Sequence, residues 1–301
     1  MQAKLGGHVG NGPVNVHYAY VARYTYSDIV VQNDNFLRLS AYTDVRQKAE
    51  SYDVLTNPVG RKVCYSDRLG NVVHRVRVIE PHDELVIAAF GKVALEQYAP
   101  DVPDLPLSEL AFDSLTDEFL TPSPLVDPAS VEAAARDVTA GADTLLKTVE
   151  AVTDWVWKNV RYKRGNTSVT TTAAEVLSSM EGVCQDKTHL ALGMLRSLGI
   201  PSRYVSGLLT RQPGETHAWL EFLHPQMDWL PADPTKGVVI STGTNYLKFG
   251  VGRDYTEVPP VTGSFVSRGS GGLDVATARV FFDKDTVTFH DAIDLIDTYL
   301  E

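Results

Sequence analysis

Three residue types that together support nucleophilic catalysis follow one another in the second half of the chain. Cys184 lies in GVCQDKTHL, His217 lies near the start of THAWLEFL, and Asp233 lies in DWLPADPT. A cysteine thiolate can attack an acyl carbon, an imidazole can take and return the thiol proton, and a carboxylate can orient the imidazole. These residues raise the hypothesis of a cysteine-histidine-aspartate triad.

The predicted position of Cys184 favours a reactive thiol. A helical period begins after it, carried by apolar residues at positions 190, 191, 194, 195 and 198. This helix is predicted to begin near Val183 or Cys184 and to close at Gly199. Unpaired backbone N–H groups in its first turn would stabilise a thiolate, and the carboxylate of Asp186 would interact favourably with the same end. The alternative is that Cys184 fills apolar core, as free cysteines often do.

The second cysteine, Cys64, lies in the strand-like stretch RKVCYS and is predicted to be such a core filler. Cys64 and Cys184 are 120 positions apart, in segments of different character. A disulfide framework is therefore not expected.

Among the histidines, His217 is the predicted base. His189 is five residues beyond Cys184, which is roughly 140° around a helix, so it is predicted to be structural. An antiparallel hairpin centred on Pro225 would pair His217 directly with Asp233. The carboxylate could then accept a hydrogen bond from the imidazole Nδ1–H, which would leave the other ring nitrogen free for the thiol. In the alternative interpretation, His217 and Asp233 are polar residues at strand ends.

The elements around these residues divide the chain. Residues 1–13 are predicted to be flexible, and residues 14–99 alternate apolar and polar positions between turn clusters, which predicts an antiparallel β-sandwich of roughly seven or eight strands. Residues 100–127 read as a proline-rich linker. Residues 128–301 are predicted to form helices first and strands afterwards, an α+β order. Residues 290–301 are predicted to form an amphipathic helix that either packs as a terminus or binds a partner.

Composition excludes several function classes. Of 301 residues, 44% are hydrophobic, and 27 basic against 38 acidic residues leave a net charge of −11, which disfavours nucleic acid and anionic membranes as partners. The chain has neither a CxxC nor an HExxH motif, so no metal or other cofactor is expected. No apolar leader or membrane-length apolar run occurs, and a cytoplasmic protein is predicted. The oligomeric state stays open.

Longer stretches resemble a known family. TTAAEVLSSMEGVCQDKTHLALGMLRSLGIPSRYVSGLL, THAWLEFL and DWLPADPTKG are similar to the core of the transglutaminase-like superfamily, in particular its bacterial transglutaminase-like cysteine proteases. YSDRLGNVVHRVRVIEPHDELVI resembles the β-rich region that precedes this core. The resemblance implies a transglutaminase/papain-like cysteine proteinase fold and a triad of Cys184, His217 and Asp233. Lys187 stands where an aromatic residue is expected, and Lys236 where asparagine is usual; both are predicted to alter the rim of the cleft.

The resemblance also implies acyl transfer on a peptide or isopeptide amide, in a peptide or protein substrate, through a thioester on Cys184. The Cys184 backbone N–H is the predicted first donor to the oxyanion, and Tyr162 is a candidate second donor whose alternative role is a core tyrosine. Hydrolysis is favoured because the similar proteins are described as proteases. Two alternatives stay open, an amine-accepting transglutaminase that cross-links proteins and a non-catalytic binding scaffold of the same fold.

Overall fold

The structure is a computed structural model that describes residues 12–282 apart from residues 211, 213, 242, 243, 270 and 271. The predicted helix over 290–301 and most of the segment predicted to be flexible lie outside the described residues. No helix within the described range is long and apolar enough to cross a lipid bilayer.

A seven-stranded antiparallel sheet dominates the first part of the chain. Its central strand, β1 (Val14–Leu37), is 24 residues long and rich in the β-branched and aromatic residues that favour strands. The other six strands are β2 (Gln47–Asn57), β3 (Arg61–Ser66), β4 (Val72–Val78), β5 (His82–Leu95), β13 (Val261–Ser267) and β14 (Leu273–Phe282). The order is β2-β5-β1-β4-β3, with β13 and β14 also paired to β1, so one hydrogen-bonded network contains all seven.

The predicted antiparallel β-rich region is confirmed, but between residue 12, where the description begins, and residue 99 there are five strands instead of seven or eight. The difference arises because β1 continues through a register shift between Thr25 and Val30, where several short strands were predicted. Such irregularities bend a strand without ending it.

Strands β13 and β14 return from the far end of the chain to this sheet. Both lie in the range 128–301 that was predicted to form the catalytic core, yet both pair antiparallel with β1. The N-terminal and C-terminal parts of the described chain therefore share one sheet. The domain ranges themselves stay predictions.

Between the sheet and the core, the chain follows short turns. Proline recurs in this segment and cannot donate a backbone hydrogen bond, which discourages longer elements. Asp127 caps the last turn by accepting from the Ala129 amide at 3.1 Å. The three 3-10 helices are Leu107–Glu109, Ser114–Phe119 and Pro128–Val131.

Four α-helices follow, as the apolar periods predict. Thr172 and Glu175 form a reciprocal capping box that begins the third helix. Every residue of the fourth helix from 186 to 196 is buried, so this helix lies at the centre of the core. The helices are α1 (Glu132–Val138), α2 (Leu145–Asn159), α3 (Ala173–Ser179) and α4 (Cys184–Ser197).

A five-stranded sheet completes the core, and the predicted order of helices before strands is confirmed. The N-terminal sheet packs against it, with the rings of Tyr18 and Phe249 5.2 Å apart. Gly91 allows this contact, because a Cβ there would lie 2.1 Å from the Tyr18 ring. The strands are β8 (Ser202–Leu209), β9 (His217–His224), β10 (Asp228–Asp233), β11 (Val238–Val239) and β12 (Tyr246–Gly252), in the order β11-β10-β9-β8-β12.

Candidate active site

The N-terminal end of α4 is held in place by Asp186. Its Oδ2 accepts from the Val183 amide and from the Thr167 hydroxyl, each at 2.7 Å. Gly182 makes room for this side chain, since a Cβ there would lie 2.5 Å from the Asp186 Cβ. The predicted interaction of Asp186 with the helix end is confirmed, and Cys184 is the first residue of the helix.

Cys184 lies at the surface of a cleft and not in the apolar core. Its side chain is partly exposed and lines the cleft together with His217, and the thiol is one of the groups that raise the pKa of that imidazole. Within the described part of the chain, the Cys184 backbone N–H has no acceptor, as expected for the first turn of a helix. The thiol, a possible base and a free N–H donor therefore occur together.

The prediction that Cys64 fills core is wrong. Cys64 does lie in a strand, but β3 is at one end of the sheet and all of its residues are exposed. Both cysteines are free thiols, in agreement with the prediction that they form no disulfide.

The structure brings His217 and Asp233 together through a register that differs from the predicted one. The hairpin pairs His224 with Asp228 and Leu220 with Ala232, so it is centred on Gln226, one residue beyond the predicted Pro225. The difference amounts to two positions, and side chains alternate with a period of two, so His217 and Asp233 still share a face. They are diagonal neighbours instead of directly paired ones.

The nitrogen that binds the carboxylate also differs from the prediction. His217 Nε2, not Nδ1, contacts Asp233 Oδ2 at 2.8 Å, and this leaves Nδ1 for the thiol. Nε2 lies farther from the backbone than Nδ1, and diagonal cross-strand neighbours are separated by about 7–8 Å, so the longer reach suits this pair. Both side chains are buried.

Four hydrogen-bond donors surround the Asp233 carboxylate. Oδ2 accepts from His217 and from the Tyr246 hydroxyl at 2.8 Å, while Oδ1 accepts from the backbone amides of Thr235 at 2.8 Å and Lys236 at 3.2 Å. Tyr246 lies on β12, and sequence reasoning missed it because no local spacing relates that strand to Asp233. The aspartate is thereby fixed in position and in its ionised form.

The two groups favour each other's charged state. Burial by itself lowers the pKa of His217, but its hydrogen bonds to Asp233 and Cys184 outweigh burial and raise that pKa to about 9. Burial raises the pKa of Asp233, but the hydrogen bond and charge of His217 and the Tyr246 hydroxyl outweigh it and lower that pKa. With this pKa, His217 is mainly an imidazolium at neutral pH.

We expect His217→Gln to slow the alkylation of Cys184 by iodoacetamide at pH 7 by about tenfold or more, because the stabilising imidazolium is lost. Peptide mass spectrometry would measure the rate at each cysteine. The exposed Cys64 is an internal reference whose rate should stay the same. Equal rates at Cys184 in both proteins would show that His217 does not activate the thiol.

Tyr162 is brought to the site by a short parallel pair, β6 (Arg161–Tyr162) and β7 (Glu181–Gly182). Tyr162 pairs with Gly182, two residues before Cys184, and its side chain lines the cleft beside the thiol. It is 47% exposed, so it is not a core tyrosine. Its role as an oxyanion donor stays a prediction.

The two lysines that depart from the family pattern occupy different environments. Lys236 is exposed and lines the cleft, in line with the expected position at its rim. Lys187 was expected at the rim too, but this is wrong: it is buried, and its Nζ donates to the Trp157 carbonyl at 3.3 Å. The cause is the packing of α4, which is surrounded by protein beyond its first turn.

His189 is structural, as predicted. It is fully buried, and its Nε2 accepts from the Tyr255 amide at 3.3 Å. Burial lowers the pKa of His189 to about 4, so the ring is neutral at physiological pH.

Two clefts meet at Cys184 and His217. One has a volume of about 460 Å³ and the other about 560 Å³. Arg164 and Glu215 border both clefts and form an ion pair at 2.9 Å. An extended substrate could therefore cross the thiol with one part in each cleft.

Comparison with family models matches two segments of the chain. Residues 132–234 match the transglutaminase-like superfamily, and residues 16–94 match the bacterial transglutaminase-like N-terminal region. The first match contains α1 to β10 and the second contains most of β1 to β5.

Similar proteins occur in mycobacteria. An uncharacterized protein of Mycobacterium leprae is 33% identical over 264 residues, which are 84% of this chain and 93% of the relative. An uncharacterized protein of Mycobacterium tuberculosis is 29% identical over 293 residues, 88% of this chain and 92% of the relative. A crystal structure from Cytophaga hutchinsonii, provisionally assigned as a cysteine protease, has a TM-score of 0.70 at 20% identity and covers 92% of this chain and 94% of its own. That likeness bears on the fold alone.

Proposed function

This chain belongs to the transglutaminase-like superfamily, and we propose that it hydrolyses an amide bond of a peptide or protein through a thioester on Cys184. The observation that carries the proposal is that Cys184 lines the same two clefts as His217, a histidine that Asp233 holds at 2.8 Å. A cysteine placed only for packing would need neither partner.

In the proposed reaction, the Cys184 thiolate attacks the amide carbonyl and forms a carbon–sulfur bond, while the carbonyl π electrons move to oxygen. The Cys184 backbone N–H, which has no acceptor among the described residues, can donate to that oxyanion, and Tyr162 is the proposed second donor. As the tetrahedral intermediate collapses, the His217 imidazolium gives its Nδ1 proton to the departing nitrogen and the carbon–nitrogen bond breaks.

Deacylation reverses these roles. His217, now neutral, takes a proton from water, and the resulting hydroxide attacks the thioester and releases a carboxylic acid and the thiolate. Asp233 stays ionised throughout and holds Nε2, as the depressed pKa of that carboxyl supports. An amine in place of water would give transamidation with the same residues.

Mass spectrometry of the intact protein after incubation with a library of blocked peptide amides tests the proposal. We expect a covalent acyl adduct on Cys184 that decays in water to free acid, and no adduct on the Cys184→Ala variant. Adducts that survive in water but transfer to added amines would favour cross-linking, and the absence of any adduct would favour a binding scaffold.

The location of the protein in the cell is a separate matter. We propose a cytoplasmic protein, because both cysteines are free thiols, as is usual in a reducing compartment. Fractionation of cells of the source organism, with the protein detected by antibody, would test it.

A further inference from the structure

The smaller cleft has a wall of three tyrosines from three separate parts of the chain. Tyr20 comes from β1 of the N-terminal sheet, Tyr204 from β8 of the core sheet, and Tyr255 from the 3-10 helix Tyr255–Glu257. We call these three residues the tyrosine wall. It begins beside Cys184, which lines the same cleft.

The hydroxyls of the tyrosine wall are unused donors. Tyr20 is 7% exposed and Tyr204 2% exposed, so their rings are buried, yet none of the three hydroxyls has a protein partner within the described residues. By contrast, the hydroxyl of the buried Tyr18 donates to the Leu39 carbonyl at 2.6 Å. The hydroxyls of the tyrosine wall open onto the cleft, where each can donate a hydrogen bond to a bound group.

Two of the three rings in the wall are packed against neighbouring side chains. The Tyr204 ring packs on the buried His189 ring, with centroids 5.3 Å apart, and His189 also accepts from the Tyr255 amide. The Tyr204 and Tyr255 rings meet edge to face at 6.3 Å. Burial raises the pKa of all three tyrosines, so each keeps its hydroxyl proton and remains a neutral donor.

The charge around this cleft is nearly balanced. Apart from the catalytic pair Cys184 and His217, the charged side chains among the described residues that line it are Arg164 and Glu215, which neutralise each other. A charged side chain placed against the tyrosine wall would lose water without gaining a counter-charge, which costs free energy. A neutral side chain would stack on the rings and accept from the hydroxyls.

We propose that the tyrosine wall is the subsite for the substrate residue next to the scissile amide, an inference that rests on the proposed function. The wall selects neutral aromatic or amide side chains over charged ones. The N-terminal sheet thereby contributes to substrate recognition through Tyr20, in addition to packing on the core.

Calorimetry on the Cys184→Ala protein tests the inference without turnover. The probes are blocked pentapeptides, alanine except for a central tyrosine, glutamine, lysine or aspartate. We expect the two neutral peptides to bind about tenfold or more tightly than the charged ones. Tyr20→Phe, which removes only a hydroxyl, should weaken binding of the glutamine peptide about three- to tenfold. Tyr65→Phe is the matched control, because Tyr65 is an exposed tyrosine on β3 of the same sheet.

The possible outcomes separate this inference from the proposed function. Equal binding of neutral and charged peptides, binding that is insensitive to both Tyr20→Phe and Tyr204→Phe, or no binding of any peptide overturns the tyrosine-wall subsite. Selective binding that depends on Tyr20 supports the tyrosine-wall subsite, even if the wild-type protein forms no acyl adduct. The absence of an adduct would reject only the proposed hydrolysis. Thermal unfolding of each variant would show that the phenylalanine substitutions leave the fold intact.

Discussion

Replacing Asp233 by asparagine is expected to lower the rate of Cys184 acylation by about 10³- to 10⁴-fold, the range known for removing the orienting carboxylate from a catalytic triad. The reason is that the carboxylate accepts hydrogen bonds at both oxygens and donates none. Oδ1 receives the amides of Thr235 and Lys236, and Oδ2 receives His217 and the Tyr246 hydroxyl.

An asparagine side chain cannot satisfy these four donors in either orientation. With its NH2 group towards the backbone, it meets the Thr235 and Lys236 N–H groups donor to donor. With its NH2 group towards His217, the asparagine donates to Nε2, which must then be the unprotonated nitrogen of a neutral imidazole. The ring proton therefore lies on Nδ1, the nitrogen that faces Cys184, and Nδ1 can no longer take a proton from the thiol. Either arrangement removes the imidazolium that the wild-type carboxylate supports.

Single-turnover acylation, followed by mass spectrometry with a peptide that gives an adduct, would measure the effect. Tyr246→Phe is the graded control: it removes one of the four donors and leaves the carboxylate, so its loss should be about tenfold or less. An Asp233→Asn protein that acylates at the wild-type rate would exclude Asp233 from the proposed mechanism. Circular dichroism would confirm that the variant is folded.

Replacing Glu221 by alanine is expected to lower the free energy of unfolding by about 3 kcal/mol, an effect of the size measured for broken buried ion pairs. Glu221 is 2% exposed, and its two oxygens bind Lys248 Nζ at 2.6 Å and the Arg203 guanidinium at 2.7 Å. Without the carboxylate, Arg203 loses its ion-pair partner. Lys248 keeps Asp44 at 2.6 Å, which places the expected loss at the lower end of the range.

This network also links the two sheets, because Asp44 follows β1 whereas Glu221 and Lys248 belong to the core sheet. Urea denaturation would measure the loss. Glu132→Ala is the matched control, since Glu132 pairs with Arg136 on the exposed face of α1 and should contribute about 0.5 kcal/mol or less. Equal stability of Glu221→Ala and the wild type would show that the network contributes nothing net.

The stabilisation by Glu221 depends on pH in a defined direction. Burial by itself raises the pKa of this carboxyl, but Lys248 and Arg203 outweigh burial and lower the pKa to about 2, from an ordinary value of 4.5. A carboxyl whose pKa is lower in the folded state stabilises the fold above its unfolded pKa and loses that contribution as the pH falls through its folded pKa. The difference in stability between the wild type and Glu221→Gln should therefore shrink as the pH is lowered from about 4.5 towards 2.

Local sequence was enough to predict the elements that carry the candidate site. The start of α4 at Cys184, its closure at Gly199 and the succession of helices before strands all follow from caps and apolar periods, which depend on residues a few positions apart. The partnership of His217 and Asp233 could be predicted for the same reason, since one hairpin joins them and a two-position error in register leaves their face unchanged.

Contacts between distant segments could not be predicted, because no local period encodes them. Tyr246 reaches Asp233 from β12, and Tyr20 reaches the cleft from a strand more than 150 residues before Cys184. The return of β13 and β14 to β1 and the burial of Lys187 likewise depend on how whole elements pack. The sequence by itself determined the elements and the order of the reactive groups along the chain. Tertiary structure decided which imidazole nitrogen faces the carboxylate and which side chains surround the thiol, because both depend on the packing of distant elements on one another.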